Sequence, residues 1–279
     1  METKKVWLVT GASKGLGFEL VKKLLSEGFK VAATSRTVDS LISTIGETSE
    51  NFLPLSVDIT DNNDVKSSIE KTVEHFGQLN VVVNNAGYGQ IGTLEELTDE
   101  EARENYAVNV FGTLNVIRNA MPYLREQGSG NIFNISSVGG YSANFPGWGI
   151  YCSTKFAVAG FTEALAEEAK EFGVHATVVY PGYFRTDFLT KDSVRTPSNP
   201  IQAYEAARTS EQAHLNDING NQPNDPGKAA EVLIQISKEK NPPVHLLLGV
   251  ETLEILNNKI DILKKDSEKW ESLTVSTAI

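Results

Sequence analysis

The chain predicts an α/β fold: a single doubly wound parallel sheet of about seven strands, flanked by helices on both faces. Two observations carry this. Seven strand-like runs, near 6–10, 30–35, 52–57, 80–84, 131–136, 174–180 and 244–248, alternate with stretches of helical character, and parallel strands require crossovers of that kind. In addition, the first run, Val6-Trp-Leu-Val9, leads through a glycine-rich turn into Phe18, Leu20, Val21, Leu24 and Leu25 at helical spacing. Strand, glycine turn and helix in that order form the phosphate-binding unit of nucleotide-binding sheets.

The turn reads Thr10-Gly-Ala-Ser-Lys-Gly15-Leu-Gly17. Its glycines let backbone N–H groups close on a pyrophosphate, and the following helix turns its positive end towards the anion. Three residues separate Gly11 from Gly15 and one separates Gly15 from Gly17, so the spacing departs from the G-x-G-x-x-G fingerprint. Gly11, Ser13, Lys14, Gly15, Leu16 and Gly17 are its candidate cofactor contacts. The second strand, Lys30-Val-Ala-Ala-Thr34, ends in Ser35-Arg36, where a dinucleotide fold places an acid on the adenosine ribose. A carboxylate there would repel a 2′-phosphate. Ser35 permits one and Arg36 can bind it through two N–H groups, with Lys14 as a second cation. The expected cofactor is therefore NADP(H).

Tyr151 and Lys155 stand four residues apart in Ile150-Tyr-Cys-Ser-Thr-Lys-Phe-Ala157, one turn apart on one face of a helix. A cation about 4 Å from a phenol, at an effective dielectric of ~20, favours the phenolate by roughly 4 kcal/mol before desolvation is counted. Even half of that as a net gain moves the phenol towards working pH and makes it a usable acid. The spacing alone is common by chance, so its weight comes from the other motifs.

Those motifs are Asn84-Asn-Ala-Gly87 after Leu79-Asn-Val-Val-Val83, Asn109 in Tyr106-Ala-Val-Asn-Val-Phe-Gly112, Ser137 in Asn134-Ile-Ser-Ser-Val-Gly-Gly140, and Pro181-Gly-Tyr-Phe-Arg-Thr186. Together with the glycine turn and the Tyr151/Lys155 pair, and in this order, they make the chain resemble the short-chain dehydrogenase/reductase family through most of its length. The resemblance implies a Rossmann-like sheet and a carbonyl group reduced by NADPH. Tyr151 would donate the proton and Ser137 a hydrogen bond to the carbonyl oxygen. Lys155 would lower the phenol's pKa and hold the nicotinamide ribose, while Asn109 anchors a water that refills the proton. The same resemblance implies that Asp58, in Leu55-Ser-Val-Asp-Ile59, binds the adenine amino group and that Asn85, Ala86 and Gly87 lie beside the cofactor. Pro181 and Gly182 would run along the nicotinamide, with Thr186 on its carboxamide. The residues themselves leave alternatives. Ser136 adjoins Ser137, which is favoured because Val-Gly-Gly follows it; Asp58 could instead cap a helix starting near Asp61; and Asn109 could simply bond backbone.

At 279 residues and 40% hydrophobic content the chain is expected to be one domain over 1–279, with a substrate-binding lid at 187–226 and a C-terminal helical extension at 249–279. The lid is expected because Thr, Ser, Asn, Asp, Gln and Pro accumulate there around a short helical stretch near 202–215, long enough to cover a substrate and to move. Leu253, Leu256, Ile260 and Leu263 then form an apolar stripe, expected to be core or subunit contact. A single cysteine excludes an internal disulfide, and four histidines at His75, His175, His214 and His245 have no ligand-like spacing, so no metal is expected. The start, Met1-Glu-Thr-Lys-Lys5, runs straight into the first strand with no signal-like segment. No apolar stretch nears the ~18 residues that a bilayer span needs. The expected location is the cytoplasm, with no membrane partner. A formal charge of −11 argues against nucleic acid as a partner; the expected partners are a small carbonyl or alcohol substrate and further copies in a homodimer or homotetramer.

Tyr141, Phe145, Trp148, Tyr183, Phe184 and Phe188 flank the catalytic motifs and predict apolar pocket walls, suited to an aryl, alicyclic or steroid-like ketone. The expected activity is NADPH-dependent carbonyl reduction, reversible as secondary-alcohol oxidation. The alternatives are a hydroxysteroid- or retinol-type dehydrogenase and a non-catalytic NADP(H)-sensing regulator; the second is disfavoured because such proteins lose the tyrosine or the lysine.

Overall fold

The computed structural model describes residues 4–279, so the lead into the first strand at 1–3 lies outside the described residues. Nine strands follow in chain order: β1 (Val6–Thr10), β2 (Lys30–Ser35), β3 (Phe52–Ser56), β4 (Val81–Asn84), β5 (Gly89–Gln90), β6 (Gly130–Ile135), β7 (Val174–Pro181), β8 (Val194–Arg195) and β9 (His245–Leu248). Seven of them build one sheet in the order β3-β2-β1-β4-β6-β7-β9, and every pairing in it is parallel. The remaining two, β5 and β8, pair with each other as a small parallel sheet.

The helices are α1 (Gly15–Ser26), α2 (Val38–Thr44), α3 (Asn62–Phe76), α4 (Asp99–Tyr106), α5 (Thr113–Gln127), α6 (Gly149–Ala169), α7 (Glu205–Gln212), α8 (Pro226–Ile236) and α9 (Thr252–Val275). Strand alternation sorts the core into two layers. Trp7 and Val9 face α1 and α8 with Val81 and Val83, while Val6 and Leu8 face α3, α5 and α6 with Val82. Both faces of the sheet are thus covered, as a parallel sheet requires. Strand order reverses between β1 and β4, and in such sheets ligands bind beyond the carboxyl ends of the strands at that point.

Local chemistry fixes the element ends. Asp61 caps α3 by accepting from Asn63 N and Asp64 N, and Gly77 closes it in the left-handed region at φ 81°. Asp58 is therefore free of capping: its Oδ1 instead accepts from Thr60 N at 2.9 Å and Thr60 Oγ1 at 2.7 Å.

The 187–226 segment is built, not loose. It carries β8, α7 and a wide π-type turn at Ala213–Ile218, and acidic side chains of residues 95–104 tie it down. Glu101 accepts from Ser198 N and Oγ, Glu96 from Ile201 N, and Arg208 pairs with the fully buried Glu96 carboxylate at 2.9 Å. The stripe at the C-terminal end departs from the core expectation: α9 is anchored only at its start, where Thr252 is buried, and Leu253, Ile260 and Leu263 are exposed. None of the described helices is long and apolar enough to cross a membrane.

Candidate active site

The carboxyl ends of β1, β4, β6 and β7 open into one cleft. On its cofactor side the glycine turn is locked to the loop after β4. Thr10 Oγ1 accepts from Asn85 N at 3.0 Å and Ala86 N at 3.1 Å, while Asn85 Nδ2 donates to Thr10 O and Gly11 O. Glycine is required where these segments touch. A Cβ on Gly11, at φ 65°, would stand 2.7 Å from Ala86 Cα, and one on Gly17 would stand 2.5 Å from Asn85 Nδ2. Behind them, Asn84 Nδ2 donates to Asn134 Oδ1 and Asn134 Nδ2 to Thr162 Oγ1, a buried chain that ties β4 and β6 to α6.

Of the residues expected to hold the cofactor or to catalyse, all but two line this cleft: Gly17 is packed beneath the turn, and Asn109 sits behind the wall. Arg36 is exposed at the end of β2, and among the described residues its guanidinium has no ion-pair or hydrogen-bond partner. Ser35 is committed elsewhere, donating to Thr37 O and sharing a hydrogen bond with Ser40 Oγ at 2.9 Å. Lys14 spans the cleft to donate to Asp192 O at 3.2 Å. These features fit a dinucleotide: a cradle that a Cβ would fill, an unpaired cation at the ribose end, and the Asp58 carboxylate farther along the wall. Among the described residues no cluster of three or more His, Cys, Asp or Glu could hold a metal.

The reactive end lies on α6. Tyr151 and Lys155 both face the cleft, with Lys155 Nζ 5.7 Å from the centre of the Tyr151 ring. Ser136 and Ser137 differ in their engagement: Ser136 Oγ donates to Lys155 O at 2.8 Å, whereas Ser137 Oγ accepts from Gly139 N at 3.1 Å and favours the ionised form of the nearby Tyr151 phenol. The sequence-based expectation of a phenol lowered by its lysine is not met. Burial pushes the Tyr151 phenol above its ordinary value, and the Ser137 hydroxyl opposes that only in part. Burial also acts on the lysine, lowering Lys155 to about 8, and its Nζ donates to Ile135 O at 2.9 Å. Burial is thus the leading cause for both groups, and neither shift has the other group among its causes.

Asn109 lies in a π-type turn between α4 and α5 (Ala107–Gly112), and its amide is fully engaged. Oδ1 accepts from Tyr88 N at 3.0 Å, and Nδ2 donates to Tyr88 O at 3.0 Å and Thr154 Oγ1 at 3.1 Å. The side chain thus clamps the chain just beyond Gly87. Thr186 Oγ1 accepts from Phe188 N at 3.3 Å and starts the turn at Asp187–Leu189.

Phe145, Trp148, Tyr183, Phe184 and Phe188 line the other end of the cleft as expected, but Tyr141 does not. Its ring packs edge-on against Tyr180 at 5.1 Å, and its hydroxyl donates to Thr252 O at 2.8 Å, seating α9. Sequence reasoning missed His214, which sits in the π-type turn after α7 and faces the cleft with its ring 4.9 Å from that of Trp148. The only local signal was its helical context, because the contact depends on how the 187–226 segment folds back.

A family model described as short chain dehydrogenase matches residues 5–196. The chain is 35% identical over 276 residues to the oxidoreductase BOA17 of Botryotinia fuckeliana, covering 98% of this chain and 99% of that protein. It is 34% identical over 247 residues to a 3-ketodihydrosphingosine reductase of Bacteroides thetaiotaomicron, covering 88% of each. A solved short-chain dehydrogenase from Streptomyces avermitilis superposes with a TM-score of 0.90 at 32% identity, over 99% of this chain and 100% of that one. ElxO with NADP bound superposes with a TM-score of 0.74 at 29% identity, over 90% and 99%. With its seven-stranded parallel sheet and the glycine turn at the sheet's reversal point, the chain belongs to the short-chain dehydrogenase family of oxidoreductases.

Proposed function

We propose that the protein is an NADPH-dependent carbonyl reductase that converts an apolar ketone to a secondary alcohol and runs in reverse as an alcohol dehydrogenase. The observation that carries this reading is the convergence of Tyr151, Ser137 and Lys155 in the same cleft as the glycine cradle and the unpaired Arg36. Two relatives add support: one is a reductase of a 3-keto compound by name, and one was solved with NADP.

When bound, NADPH supplies the hydride; the rest is the work of this chain's own groups. Arg36 would hold the 2′-phosphate through charge-assisted hydrogen bonds, and the backbone of the glycine turn would receive the pyrophosphate. Ser137 and Tyr151 donate to the substrate oxygen as negative charge gathers there. A phenol raised by burial keeps its proton at neutral pH and still yields it to a far more basic alkoxide. Lys155 holds the ribose side of the cleft, and Asn109 positions the wall at Tyr88 rather than anchoring water through its amide. The segment at 187–226 closes the substrate end, where Trp148 and Phe188 exclude water around the Tyr151 ring, at centroid distances of 5.5 and 5.9 Å. The test is NADPH oxidation by the purified protein over aryl and alicyclic ketones, aldehydes, quinones and charged sugars. Reduction of the apolar ketones supports the reading, and a preference for charged sugars, or no turnover of any carbonyl, overturns it.

A further inference from the structure

Among the aromatic rings at the substrate end of the cleft lies one built polar pair. His214 Nδ1 lies 2.7 Å from Ser210 O, and its Nε2 lies 3.0 Å from the Tyr183 hydroxyl. A carbonyl only accepts, so Nδ1 carries the hydrogen and the neutral ring presents a lone pair at Nε2. Burial lowers the pKa of His214 and so favours that neutral ring. Tyr183 must then donate its only hydroxyl proton to Nε2. What its oxygen has left is acceptor capacity, in a wall that the cleft exposes. The imidazole is held in place by the Trp148 ring at 4.9 Å, and Trp148 in turn packs on Tyr151 at 5.5 Å. The Tyr183 phenol also disfavours ionisation of Tyr151.

We infer that Tyr183, oriented by His214, is a specificity-determining hydrogen-bond acceptor, and that the substrate is an apolar ketone carrying a neutral hydrogen-bond donor, such as a second hydroxyl group. The inference deepens the reductase reading and rests on it for the identity of the reacting group. A group that only accepts, such as an ether oxygen, would meet lone pair against lone pair and gain nothing. Two elements make the site: Tyr183 follows β7 and His214 comes from the turn after α7, so it exists only when the 187–226 segment is folded back over the cleft.

The test uses three matched aryl ketones that differ only in a remote hydroxyl, methoxy or hydrogen substituent. kcat/KM is measured with NADPH, and Kd is measured by calorimetry on the NADP+-loaded protein. The hydroxy ketone should show a kcat/KM about tenfold higher, and a Kd about tenfold lower, than either of the others, the size of one well-made hydrogen bond. Tyr183→Phe should erase that ratio. His214→Phe keeps a ring against Trp148 but frees the Tyr183 proton, so the methoxy ketone should gain on the hydroxy ketone. Equal values for the three ketones, or a ratio that survives Tyr183→Phe, would overturn the inference. Turnover of none of the three, with the ratio of Kd values intact, would sink the reductase reading while leaving the recognition site standing.

Discussion

In the proposed reaction, burial around Tyr151 favours one direction over the other. Because the phenol lies above its ordinary value, reduction finds the proton in place, whereas alcohol oxidation must wait for the phenolate. Reduction should hold a level kcat/KM between about pH 6 and 8, and oxidation should climb towards tenfold per pH unit; parallel profiles for both directions would contradict this. Lys155 gives a second, opposite-looking result. Its value of about 8 in the fold lies below the 10.5 of the unfolded chain, so holding the charge inside costs roughly 3 kcal/mol wherever both states are protonated. That cost is fully present below about pH 8 and fades as pH rises towards 10.5. Lys155→Met should therefore abolish turnover yet raise Tm by several degrees at pH 7, with a smaller gain near pH 10. Calorimetric melts at the two pH values check it.

The site is assembled from element ends, and their legibility in the sequence differed for physical reasons. The glycine turn, the Arg36 strand end and the Tyr151/Lys155 pair each lie within about one turn or loop, so spacing and periodicity revealed them directly. Tyr141 and His214 could not be sorted that way. Both sit in aromatic or helical surroundings, and only the fold sends one under α9 and the other into the cleft. Strands β5 and β8 span two residues each, too short to show a period of two. The raised phenol was missed because pair spacing reports the attraction but not the desolvation. At the end of β2, Arg36→Asp removes a partner for a 2′-phosphate and adds a repulsive charge, so kcat/KM for NADH relative to NADPH should rise by about a hundredfold. An unchanged ratio would remove the basis for NADP preference. Where the 187–226 segment is fastened, Glu96→Ala leaves the Thr93 and Ile201 amides without their acceptor and Arg208 with Glu211 as its one remaining ion-pair partner among the described residues. Faster cleavage of that segment in limited proteolysis and a several-fold higher KM for ketone should follow; unchanged proteolysis would show that the tie is dispensable.

Across the protein as a unit, the charge distribution and the exposed apolar residues point in different directions. A formal charge of −11 opposes any general attraction for an anionic cofactor, so binding must come from a few local groups in the cleft. Exposed Leu253, Leu263 and Trp270 on α9, with Phe111 and Phe156 on the body, are surfaces that a second copy would cover. Light scattering should then return a multiple of 30.4 kDa; a monomer would rule that out. The parallel sheet, its reversal point and the two-layer core together bring the glycine turn and the Tyr151 phenol to one opening. The most direct test of that arrangement is Tyr151→Phe, assayed for ketone reduction and, separately, for NADPH binding by fluorescence. Removing one hydroxyl from a buried ring that keeps its packing should reduce kcat at least a thousandfold, on the order expected for losing the proton donor, with the Kd for NADPH within about twofold of the parent. A variant that retains most of its kcat would mean that the substrate oxygen takes its proton from another group.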